Sequence, residues 1–161
     1  MIRIFRILNS TALLLLTTLL FQSGIPLGVA QTQNARAGGD DAPLFHEYRN
    51  VRIGMTAEEV RAKLSKPNDK SDEQDFFIFS DDESAQVFYD KSRTVFAISV
   101  NFLNGARDLP TAKAIFGSDI TPKSDGSMYK MVRYPKAGCW VSFSRTAGDS
   151  PLTIVTMQKI E

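Results

Sequence analysis

The sequence implies an α+β protein: an antiparallel sheet with short helices on one face, built as two tandem helix-plus-three-strand units at about 50–104 and 105–161. Three features carry that expectation. Apolar residues recur at period two in several short runs bounded by polar turns. Two other stretches carry helix start and stop signals. A helix followed by three strands then recurs with a period of ~50 residues, the mark of an internal repeat.

The N-terminus stands apart. MIRIFR supplies Arg3 and Arg6, the apolar stretch ILNSTALLLLTTLLF follows, and Gly28 and Ala30 sit at positions −3 and −1 of a cut. This pattern predicts a signal peptide over 1–30 and a secreted or periplasmic protein. Asn9, Ser10, Thr17 and Thr18 interrupt the stretch, which is short for a stable span of ~20 residues. An uncleaved anchor is the competing reading; cleavage would leave no stable membrane anchor. It would also leave 131 residues and change the net charge from +1 to −1. A near-neutral chain lacks the basic footprint of a nucleic-acid binder. Gln31–Pro43, QTQNARAGGDDAP, holds no large apolar residue and reads as a flexible spacer. A single α+β domain is then expected over 44–161.

Within that domain, Thr56 is a good N-cap and Glu59, three residues on, completes a capping box. Val60 and Leu64 share a face, and Pro67 ends the helix. Three strands are expected at Asp75–Phe79, Ala85–Tyr89 and Thr94–Phe102, joined by short polar turns as an antiparallel meander. Leu109–Gly117 reads as a second helix, with Pro110 in its first turn and Gly117 as its stop. Tyr129–Tyr134, Cys139–Ser144 and Leu152–Ile160 read as three further strands. Phe79 to Phe88 and Tyr134 to Phe143 both span 9 residues, which supports the repeat.

IGMTAEEVRAKLSKP is similar to the G-M-T-x-x-E-V-x-x-x-L-G-x-P motif of the BamE/SmpA-OmlA family, and resembles the wider beta-lactamase-inhibitor-protein-like (BLIP-like) fold. The matches are Gly54, Met55, Thr56, Glu59, Val60, Leu64 and Pro67; Ser65 stands where the family has glycine. The resemblance implies a helical segment with antiparallel strands, repeated in the inhibitor-like fold. It also implies two roles: envelope or outer-membrane assembly, or inhibition of a secreted hydrolase through a loop such as Ser80–Ser84. BamE proteins are lipoproteins, and no acceptor cysteine lies near the cut here. Capping accounts for Thr56 and Glu59 without a functional role.

Catalytic chemistry has little to draw on. His46 is the only histidine and Cys139 the only cysteine, so neither zinc nor a disulfide is supported. Asp81, Asp82 and Glu83 lack the spacing of a calcium loop and read as a charged turn. No cofactor, metal or nucleotide motif is present. The expected activity is therefore non-enzymatic binding of a protein or envelope component through an open sheet face. By alternation, Phe77, Phe79, Phe88, Val141 and Phe143 turn to the helices. Phe76, Ile78, Val87, Tyr89, Met131, Arg133 and Trp140 occupy the open face. Self-association is the alternative use of that face, and a register slip of one residue would exchange the two faces.

Overall fold

The computed structural model describes residues 42–160; the signal peptide expected over 1–30 and most of the spacer expected over 31–43 lie outside the described residues. Seven strands form one antiparallel sheet: β1 (Asp69–Lys70), β2 (Gln74–Ser80), β3 (Glu83–Tyr89), β4 (Val95–Phe102), β5 (Met128–Tyr134), β6 (Cys139–Arg145) and β7 (Thr153–Lys159). Their spatial order is β1-β2-β3-β4-β7-β6-β5. Helix α1 (Ala57–Leu64) has eight residues, whereas α2 (Ala112–Phe116) has five.

This corrects the expected α+β class and its tandem helix-plus-three-strand layout. The domain is predominantly β, and β4 and β7 join all the strands into one sheet. The helical share shrinks because LPTAKAIFG contributes little more than one turn. Thr111 caps α2 and Gly117 closes it at φ +72°. In that left-handed conformation glycine avoids a Cβ clash.

One sheet face is the core. Row by row across the strands, Val87, Ile98, Met157 and Val141 lie side by side, as do Ala85, Val100, Val155 and Phe143. All eight are buried. They come from strands distant in sequence, so their burial supplies the apolar stabilisation that two isolated meanders would lack.

Helix α1 closes this face over β2 and β3. Its amino end carries the expected capping box: Glu59 N–H donates to Thr56 Oγ1, and Thr56 N–H donates to Glu59 Oε2 at 2.8 Å. The preceding residues are stitched to the sheet. Gly54 N–H donates to Val95 O, Val95 N–H to Met55 O, and Ala57 N–H to Arg93 O. Gly54 sits at φ +88°, which explains glycine there. The Gly-Met-Thr stretch thus anchors a helix start to β4.

At the other end of α1, Ser65 adopts φ +71° and ψ −159°. This backbone region is essentially reserved for glycine. The one departure from the motif therefore falls on a residue whose conformation favours the motif's own glycine.

Two polar clusters pin the cover to the sheet. Arg61 donates to both carboxylate oxygens of Asp75, and Tyr89 Oη donates to Asp75 Oδ2 at 2.8 Å. Near the N-terminus of the domain, Tyr48 and Val51 exchange backbone hydrogen bonds across Arg49 and Asn50, both at positive φ. That tight turn sets the Arg49 guanidinium 4.3 Å over Phe79 and onto Glu83.

Candidate functional site

The face opposite the core has a different composition. Residues paired across a sheet share a face, so register reads out its rows. One row runs Gln74, Phe88, Ala97, Gln158, Trp140, Arg133 from β2 to β5. The next runs Phe76, Gln86, Ser99, Thr156, Ser142, Met131. A third runs Ile78, Ser84, Asn101, Ile154, Ser144, Tyr129. In these three rows Arg133 is the only residue with a formal charge. Hydroxyls and amides fill the middle, where Ser99 and Thr156 hydroxyls lie 3.1 Å apart. Apolar groups concentrate toward the sides: Ile78, Tyr129 and Met131 are 53%, 57% and 46% exposed.

Five of the expected open-face residues therefore share one face: Phe76, Ile78, Met131, Arg133 and Trp140. Val87 and Tyr89 do not. Both are buried on the core side, and their place on the open face is taken by Phe88, expected to point inward. The cause is a one-residue error in the facing of β3, where AQVFY offers apolar residues on both sides. Asp75 decides the matter physically: its buried carboxylate needs the Tyr89 hydroxyl as a donor. That hydroxyl is pushed well above the usual tyrosine range by burial and by its bond to Asp75.

Phe96 also departs from strict alternation, which would set it on the core side with Ile98 and Val100. Phe88 pairs with Ala97 but Tyr89 pairs with Val95, so Phe96 is an extra residue in β4. This bulge brings Phe96 beside Phe88, with ring centroids 6.2 Å apart. Nothing in the regular alternation of TVFAISVNF announces it. Tyr129 could have been found, because it has the same parity as Met131 and Arg133 in one run.

Two shallow grooves mark opposite ends of this face. A groove of about 1030 Å³ is lined by Gln74, Phe88, Phe96 and Gln158, with Arg93 and Lys159 among its charged rim residues. The other, of about 680 Å³, is lined by Phe76, Ile78, Asn101 and Ile154 beside the Asp81–Glu83 turn.

The remaining candidates have ordinary structural settings. His46 is exposed, and its Nδ1 lies 3.2 Å from Leu44 O. Glu83 accepts from Tyr48 and Arg49. Cys139 is buried, and burial pushes its thiol up. Among the described residues no group of three or more His, Cys, Asp or Glu side chains is placed to hold a metal ion.

No family model matches this chain, and no curated protein or solved structure matches it either. The chemistry of the open face is what bears on function.

Proposed function

We propose that this domain is a non-enzymatic binding module that meets a protein partner through its open sheet face, outside the cytoplasm as the N-terminal sequence implies. The observation that carries this reading is the composition of the face. Its three rows hold Phe, Trp, Tyr, Met and Arg with one formal charge, in a chain that is 23% charged. The centres of protein interfaces are enriched in those residue types and depleted in Lys, Asp and Glu. The neutral hydroxyls and amides between them can form hydrogen bonds without the cost of burying an ion. The sheet needs no rearrangement to present them, since the opposite face already holds the core.

Site-specific photo-crosslinking in cells expressing the full chain tests the reading. A photoreactive residue at Phe76 or Trp140 should give a discrete adduct with another protein, and one at Lys63 on α1 should not. Adducts at Lys63 alone, or none at any of the three positions, would overturn it.

A further inference from the structure

The two edges of the sheet are finished differently. The outer edge of β2 is closed: β1 pairs with Asp75 and Phe76, and Asn68 accepts from Ile78 N–H through Oδ1 at 2.8 Å. Asn68 N–H also donates to Phe76 O. The edge at β5 has no such cover among the described residues. Its seven residues pair without a bulge to β6. Alternate residues of an antiparallel edge turn their N–H and C=O groups outward, and those of β5 meet no hydrogen-bond partner among the described residues. The strand contains no proline and carries exposed Tyr129 and Met131. An edge of this kind is a template for another strand.

We propose that the strand β5 adds is β5 of a second copy, antiparallel, about a two-fold axis at Met131. The sequence MYKMVRY selects that occupant and that register. With the axis at Met131, all seven residues find partners: Met131 meets itself, Tyr129 meets Arg133, Lys130 meets Val132 and Met128 meets Tyr134. Each Arg133 guanidinium then faces a tyrosine ring of the other copy, a favourable cation–π arrangement. Moving the axis to Lys130 or to Arg133 would set like charges directly opposite, which is destabilising. An axis at Val132 would leave Met128 facing beyond the strand end. Lys130 does not oppose the pairing, because its ammonium is drawn to Ser118 Oγ at 3.0 Å and lies 5.0 Å from the Phe116 ring centre. The product is a closed symmetric dimer whose sheet continues through the axis, placing two open faces side by side.

Sedimentation of protein purified from cells expressing the full-length sequence tests the dimer, and cysteine cross-linking tests its register. The expected result is a concentration-dependent dimer. Met131→Lys, which sets two ammonium groups at the axis, should weaken it at least about tenfold while leaving the circular dichroism spectrum and melting temperature of the monomer unchanged. Oxidation with copper phenanthroline should link Met131→Cys into a covalent dimer. It should not link Tyr129→Cys, whose copies lie too far apart for a disulfide in this register. Nor should it link Ile78→Cys, equally exposed but on the closed edge. A monomer at every concentration, whatever covers β5, overturns the proposal. So does a dimer linked through Ile78→Cys but not Met131→Cys. Either result leaves the open-face reading to stand or fall on its own cross-links.

Discussion

Arg61 grips Asp75 with two hydrogen bonds, from Nε at 2.8 Å and from Nη2 at 2.9 Å, and the carboxylate it holds is fully buried. The pair joins α1 to β2. Removing one partner leaves a buried charge without compensation, which is costlier than replacing both. Arg61→Met should therefore destabilise the domain by about 3 kcal/mol. Arg61→Met/Asp75→Leu should recover much of that loss. Urea denaturation of the two variants checks the order; a double variant less stable than the single would refute it.

The third member of that cluster gives a pH dependence. Burial, then the bond to Asp75, raises Tyr89 above its ordinary value of 10.0. The folded state thus holds its proton more tightly than the unfolded state. The resulting stability is fully present below pH 10.0 and is lost as pH rises from there toward the folded value. Tyr89→Phe should cost about 2 kcal/mol at neutral pH, by depriving a buried carboxylate of a donor. It should also make the alkaline fall in stability shallower. Tyr48, raised chiefly by burial as well, keeps part of the slope. Melting curves across alkaline pH measure both effects.

Capping at α1 should be worth the usual amount. Thr56→Ala should cost about 1 kcal/mol, and Thr56→Ser much less. Glu59 is lowered by the Thr56 backbone N–H and then by its hydroxyl. Its contribution is present above the ordinary value of 4.5 and is lost as pH falls through the lowered one. Chemical denaturation at neutral and acidic pH should show the penalty of Thr56→Ala shrinking in acid.

Ser65→Gly should stabilise the domain by about 1 kcal/mol, since it relieves a backbone conformation that costs a side-chain-bearing residue of that order. A loss of stability would mean that the Ser65 side chain contributes more than its strain.

The two faces of the sheet should respond in opposite ways. Phe143→Ala, on the core side, should cost about 4 kcal/mol. Met131→Ser, on the open side, should stay within about 0.5 kcal/mol when measured on the dilute monomer. Comparable losses at both positions would show that Met131 is already covered in the isolated protein.

Much of the strand content was readable because alternation fixes where a pleated run lies: Asp75–Phe79 and Tyr129–Tyr134 differ from β2 and β5 by a residue or so at their ends. Facing was harder. In β3 the choice between Val87 and Phe88 depends on Asp75 and Arg61, which lie elsewhere in the sequence. In β4 the bulge at Phe96 depends on how Tyr89 meets Val95. The class was misjudged because helix signals at Pro110 and Gly117 mark ends without saying how little lies between them. β1 escaped notice because a two-residue strand has no period.

The central seam has a consequence for synthesis. β4 lies against β7, so Phe102 pairs with Thr153 and Ala97 with Gln158. A ribosome delivers β4 long before β7. Until the final stretch emerges, β2–β4 present an unfinished border, and β5–β6 have no neighbour to join them to it. Folding is then gated by completion of the chain, with high contact order and slow closure. A transcript cut short before Thr153 would yield one chain whose β2–β4 and β5–β6 parts have no strand to join them, rather than a smaller stable domain.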